Sequence, residues 1–312
     1  AGGFPAVGAK PGAGRVLGTR RYAQAAIEVD RALMAALRAG GVEVASFQAQ
    51  LLYEPWSIRT RGGEPFRVFS PFWRAALAAE EPRRPLPAPK RIAGWSGGIA
   101  SDDLAAWGLR PTRPDWAAGF RAAGPPGEAA AGARLSAFLE AGLPSYAKAR
   151  ARPDRPVTSR LSPHLAFGEI SPFQIRAAAL HAAEAGSPPP GSRNVEKFLS
   201  ELGWREFSWH LLHHAPDLAT RNFQPRFDAF PWREDASAFA AWRRGRTGVP
   251  LVDAGMRELW STGWMHNRVR MVVGSFLVKH LGLDWRLGEA WFHDTLVDYD
   301  PARAGDAEFV AS

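Results

Sequence analysis

Eight prolines fall between residues 80 and 127 (Pro82, Pro85, Pro87, Pro89, Pro111, Pro114, Pro125 and Pro126), and no other feature constrains the fold as much. Each fixes φ and removes a backbone donor, so the segment can form neither a long helix nor a central strand. It reads as an ordered linker, 80–127, wrapped over the surface between two differently built regions. Before it, residues 16–19 read as a short strand. Gln24–Ala39 carries Ile27, Leu33, Met34 and Leu37 at helical spacing and stops at Gly40-Gly41. Val42–Phe47 alternates as a second strand. This strand–helix–strand unit, 15–79, is too small to be a domain alone. It reads as the remnant of a Rossmann-like parallel α/β sheet whose earlier strands are absent. Residues 1–14 lack periodicity and read as a disordered tail. From 128 to 312 the pattern is helical, with helices expected at 130–141, 172–185, 194–213, 236–244, 253–262, 267–281 and 287–296. The fold class expected is thus α/β plus all-α.

The 312 residues leave room for two cores. There is no cysteine, which excludes disulfides, thiolate nucleophiles and Cys-ligated metal. No apolar run is long enough for a membrane helix, and the N-terminus lacks a signal core. No membrane association and a cytoplasmic location are expected. The formal charge of +8 rests on 34 arginines against 5 lysines. Guanidinium forks suit phosphate, so a nucleic-acid or dinucleotide partner is favoured. A GC-rich genome would produce the same usage, so the charge alone decides nothing.

Three strings carry chemistry. Trp264-Met265-His266-Asn267-Arg268-Val269-Arg270-Met271 packs an indole, an amide, two guanidiniums and two thioethers into two helical turns. Asn267, Arg270 and Met271 share a face there. A core could not bury that set unpaired. It suits a place where a planar ligand meets an anion. Thr158-Ser159-Arg160-Leu161-Ser162 sets three hydroxyls and several amides before a helical turn, which suits phosphate or, equally simply, a helix cap. Glu201, Trp204 and Arg205 stand at i, i+3 and i+4, as in a ligand face or an amphipathic helix with one ion pair. Asp298 and Asp300 form a D-x-D pair just after a helical run. Such a pair could be a metal pair or a loop end, and its place just after a helical run makes a metal the less expected of the two. His210, His213 and His214 read as solvated helix surface.

These strings, with Gly168-Glu169-Ile170-Ser171-Pro172 and Glu201-Leu202-Gly203-Trp204-Arg205-Glu206-Phe207, closely resemble the flavin- and DNA-binding domain of the photolyase/cryptochrome family. Among its members the bacterial class I cyclobutane-dimer photolyases are the nearest pattern. Leu51-Leu52-Tyr53-Glu54-Pro55-Trp56 and Phe69-Ser70-Pro71-Phe72-Trp73-Arg74 resemble the end of the family's antenna domain. The resemblance implies FAD as cofactor; the antenna pigment stays undetermined. It implies phosphate contacts at Tyr146, Thr158, Ser159, Leu161 and Ser162, with Arg205 also at the cofactor. Glu201 and Asn267 would hydrogen-bond the adenine and the dimer. Trp204 would stack on the flipped dimer, Met271 would press against it, and Arg268 would hold DNA phosphate. Arg270 would pair with Asp298 beside the flavin, with Asp300 at the isoalloxazine edge. Trp285 would be the middle member of an electron-transfer tryptophan chain.

The chain departs from the family after Asp300. Ala307 stands where the flavin-proximal tryptophan belongs, Phe309 replaces the second dimer-clamping tryptophan, and the asparagine facing flavin N5 is deleted. The distal tryptophan position falls on Phe227, with Trp232 nearby. The likeness runs from about 15 to 305 and matches an interior segment of a longer pattern. The resulting expectation is a monomeric enzyme that repairs pyrimidine dimers in DNA, driven by light and reduced FAD. A cryptochrome-like photosensor and an inactive truncated remnant are the alternatives.

Overall fold

A computed structural model describes residues 12–97, 101–186, 192–218 and 220–303. Most of the tail expected at 1–14 lies outside them. Its last residue is tied down, because the Gly14 carbonyl accepts the Glu43 N–H at 3.0 Å.

Strands β1 (Arg15–Thr19) and β2 (Glu43–Phe47) pair in parallel, Arg15 opposite Glu43 and Thr19 opposite Phe47. Helix α1 (Gln24–Ala39) makes the crossover and buries only Leu37. Two strands alone are marginal. The segment that follows anchors the unit: Leu51, Ile58 and, on α2 (Phe69–Ala78), Phe72 and Ala76 are buried.

Past α2 the described chain up to residue 117 forms one short 3-10 turn, Leu104–Trp107, as the proline density dictates. The helices that follow are α3 (Ala118–Ala123), α4 (Glu128–Ala137), α5 (Tyr146–Ala149), α6 (Ser162–Ala166), α7 (Pro172–Ala185), α8 (Ser192–His214), α9 (Ala236–Arg243), α10 (Pro250–Thr262), α11 (Asn267–Ser275) and α12 (Trp285–Thr295). Ser171 opens α7 with a capping box: its hydroxyl accepts the Gln174 N–H, and the Gln174 side chain accepts the Ser171 N–H. Two expected helices change character before they end. The turns Phe138–Gly142 after α4 and Phe276–His280 after α11 are π-helical. Side-chain periodicity hardly distinguishes these turns from α-helix. Helix α10 starts three residues earlier than expected, because Pro250 is pre-set for the first turn.

Three apolar clusters form the interior. The first gathers α4, α5, α7 and the N-terminal half of α8 (Val195, Phe198, Leu202). The second joins α9–α12 around Trp242, Met256, Val273 and Trp285. The third joins Leu51, Ile58 and α2 to Phe207, Trp209, Leu211 and Leu212 on the C-terminal half of α8. Helix α8 is therefore shared by two of the three. At Gly203 an added Cβ would lie 2.6 Å from the Trp73 ring, so α2 and α8 close on each other only over a glycine. The expectation that the α8 histidines are solvated is wrong for His210. That ring is fully buried, hydrogen-bonded through Nδ1 to the Pro55 carbonyl at 2.7 Å and through Nε2 to the Phe66 N–H at 3.0 Å.

Candidate functional site

A cavity opens where α5, the 158–162 turn, α8 and the start of α11 converge. It is lined by Tyr146, Thr158, Ser159, Leu161, Ser162, Glu201, Arg205, Asn267, Arg268, Arg270 and Asp298, all expected from the sequence. Arg150, Arg160, Phe198, Leu202, Trp264 and His266 complete the wall.

Helix α8 supplies one side by simple geometry. At about 100° per residue, Glu201, Arg205, Phe198 and Leu202 fall within an arc of about 100°. Trp204 lies about 60° to the other side of Glu201. Trp204 is not among the residues that line the cavity. Its ring stacks on Phe69 of α2, centroids 3.8 Å apart and planes 10° from parallel.

Electrostatics give the cavity its character. Glu201 pairs with Arg150 at 2.6 Å and with Lys197 at 3.2 Å. Arg150 follows Tyr146 by four residues, the one spacing that could have flagged it beforehand. Arg270 donates from Nη2 to both oxygens of Asp298, at 2.9 and 2.8 Å, and from Nε to the Met265 carbonyl at 2.8 Å. This is the pair anticipated from the sequence, and both side chains are almost wholly buried. Arg160 holds φ at 51°, a left-handed conformation uncommon outside glycine, and lays its guanidinium 4.1 Å from the Trp264 ring centroid.

His266 caps α11, accepting the Arg268 N–H at Nδ1 (3.1 Å). That bond leaves the ring's proton on Nε2 in the neutral form. Burial, helped by the Arg150 and Arg268 charges, pulls its pKa below the usual value. Burial, with the Glu201 charge, pushes the Tyr146 hydroxyl up to about 12, so it stays a neutral donor. Arg205 Nη2 and His266 Nε2 are buried without a hydrogen-bond partner among the described residues. Buried polar atoms are costly unpaired. Two such donors on the residues of one cavity suit a polar ligand. Its polar groups suit a phosphate-bearing ring compound: hydroxyls and amides at 158–162 and guanidiniums at 150, 205 and 268 as donors, with the Glu201 carboxylate as acceptor. The open volume is about 140 Å³, less than a ligand of that size needs, and the Arg150–Glu201 bridge spans its walls.

Three other expected residues lie elsewhere. Asp300 accepts from Trp209 Nε1 at 3.2 Å and from the Ala302 N–H at 3.0 Å, with Arg205 Nε 3.8 Å from its carboxylate. Met271 sits one turn beyond the rim, where its sulfur accepts from Arg268 at 3.3 Å. Trp285 is buried in the second cluster, its Nε1 donating to Asn222 Oδ1 at 2.8 Å. Ala307 and Phe309 lie outside the described residues.

Two family models match the chain: DNA photolyase over residues 1–90, and the FAD binding domain of DNA photolyase over 198–312. A deoxyribodipyrimidine photo-lyase from Agrobacterium fabrum is 48% identical over 96% of this chain. Cryptochrome-1 of Arabidopsis thaliana is 39% identical over 93% of it. The crystal structure of a bacterial class III photolyase from Agrobacterium tumefaciens superposes with a TM-score of 0.91, covering 96% of this chain at 46% identity. That description leaves the class I reading of the sequence without support. The chain spans 62%, 43% and 61% of these three relatives' own lengths.

Proposed function

This chain belongs to the photolyase/cryptochrome family, and from that premise we propose that it binds FAD in the cavity and repairs cyclobutane pyrimidine dimers in DNA under light. The observation that carries the reading is the convergence of three distant strings, 158–162, 201–205 and 264–270, on one cavity whose residues keep unpaired buried donors. In this reading the 158–162 turn and Tyr146 hold the cofactor's phosphates. The buried Arg270–Asp298 pair lies beside its ring system. Asn267 donates to a dimer carbonyl, a bond that strengthens as negative charge develops there, and Glu201 hydrogen-bonds the dimer beside it. Arg268 holds DNA phosphate at the rim. Trp285 serves as an electron relay within the second core. Reduced FAD, when bound, would supply the light-driven electron. For the cofactor to enter, the Arg150–Glu201 bridge must part. A monomeric, cytoplasmic protein fits the same reading.

The test is FAD titration by fluorescence against the unmodified chain and Ser162→Asp, which sets a carboxylate where phosphate would lie. Saturable binding lost in the variant is expected; equal binding by both overturns the site. Repair of a dimer-containing oligonucleotide under blue light then tests the activity. A photosensory role is the second reading, favoured by the placement of Trp204 against Phe69 rather than at the cavity. It requires FAD binding and a light response without repair.

A further inference from the structure

On another side of the helical region, α9 ends at Arg243 and α10 begins at Pro250. The chain between them starts Arg243-Arg244-Gly245-Arg246. Gly245 has φ 60°, and a Cβ there would lie 2.6 Å from the Asp253 carbonyl, so the turn demands glycine. It throws three guanidiniums out together. Arg257 of α10 braces it, donating to the Gly245 carbonyl at 2.6 Å. Across from the turn stand Trp260 and Trp291, rings 5.9 Å apart and 8° from parallel. The Arg243 guanidinium lies 5.5 Å from the Trp291 centroid.

These six side chains line an open groove of about 450 Å³ that contains no carboxylate. Asp253 is turned inward to Thr247 and Gly248, and Glu258 interacts instead with Arg160 and Arg270. Among the described residues Arg244 and Arg246 have no ion pair or side-chain hydrogen bond. Trp260 is 57% exposed. A soluble surface does not ordinarily leave an indole platform bare beside four guanidiniums with no acid to balance them. Guanidiniums match phosphate oxygens, and an indole face matches a base of any sequence.

We propose that this groove is a second nucleic-acid site, separate from the cavity, which holds a single strand by phosphate contacts to Arg244, Arg246 and Arg257 and by base stacking on Trp260. An open groove with charge spread along it suits a strand rather than a free nucleotide, which would call for an enclosed pocket. The site carries no sequence readout and needs no lesion. It does not depend on the cofactor reading of the cavity.

The experiment is fluorescence anisotropy of an undamaged fluorescein-labelled strand of roughly 12 nucleotides, a length within the range single-strand sites cover, at roughly 50 to 200 mM salt. Trp260→Ala is expected to weaken binding about tenfold at every salt concentration, since stacking is not ionic. Arg244→Ala with Arg246→Ala is expected to flatten the slope of log K against log salt by about one and a half units, for two lost phosphate contacts to a single strand. All three residues are exposed, so melting temperatures should stay within a few degrees of the unmodified chain. Unchanged affinity and slope in both variants overturn the proposal. So does full displacement of the strand by ATP at equal phosphate concentration, which would mean a free-nucleotide site. Equal competition by poly-glutamate, indifferent to Trp260→Ala, would mean an acidic protein surface and overturns it too.

Discussion

The two faces of α8 handle polar groups in opposite ways. On the face toward the cavity, Glu201 pairs with Arg150 across the walls, and Arg205 keeps a nitrogen with unused hydrogen-bonding capacity. On the face toward the N-terminal unit, Glu206 and His210 are buried, His210 held by backbone at both nitrogens and Glu206 through one oxygen, with its Oε1 left without a hydrogen-bond partner among the described residues. Glu206 accepts the Tyr53 N–H at 3.1 Å, and burial pushes its carboxyl up to about 7. Burial pulls His210 down to about 4. One face keeps charge available for a ligand; the other gives it up to hold the chain together. Substitutions on the rear should therefore move stability, and those on the front should move chemistry.

His210→Ala should have the largest effect. It leaves the Pro55 carbonyl and the Phe66 N–H without partners, and should cost about 3 kcal/mol in urea unfolding. FAD affinity should stay within twofold under conditions where the variant is folded. A loss of affinity with stability intact would break the division. Glu201→Gln should do the reverse. Replacing the carboxyl that holds the dimer should slow its repair about a hundredfold. The glutamine oxygen can still accept from Arg150, so unfolding free energy should move by about 1 kcal/mol.

Acid and base sharpen the rear face. His210 is held neutral, so its contribution is complete above pH 6.5 and declines as pH falls toward 4. Glu206 is held protonated, so its contribution is complete below pH 4.5 and declines as pH rises toward 7. Between these limits the two oppose each other. Glu206→Gln should unmask a stability that rises with pH, and His210→Gln one that falls with pH. Each slope should approach about 1.4 kcal/mol per pH unit in denaturation series from pH 4.5 to 6.5. Parallel slopes in both variants would show that one of the two groups titrates normally. The smallest effect is expected at Trp204, on the border of the faces. Trp204→Ala should lose the stack on Phe69, about 1 kcal/mol, and leave preference for dimer-containing DNA unchanged. Loss of that preference would return the indole to the binding face.

The sequence made the helical half and most of the cavity legible, since periodicity and local spacing report what lies on one helix or one turn. The Arg270–Asp298 pair came from the family pattern rather than from spacing. What was missed depends on how elements meet. The spacing of Glu201, Trp204 and Arg205 is compatible with one face, but α2 packs against α8 on the side of Trp204 and divides that face in two. His210 reads as exposed until the segment 55–66 is folded over it. Asp300 differs from Asp298 by only two residues, yet the turn after α12 points it toward Trp209. The arginine groove gave no local signal, because Trp260 and Trp291 come together only when α10 and α12 pack.

The sharing of α8 by two cores has a kinetic consequence. A helix whose first half completes one core and whose second half completes another cannot open one without loosening the other. Its amides from Val195 to Leu212 should exchange with deuterium only through unfolding of the whole, slower than those of α9 or α12. The wall that carries Glu201 and Arg205 is then the most slowly breathing part of the molecule. Entry of a cofactor must come from movement of its neighbours, α5 and the 158–162 turn, against a wall that stays still.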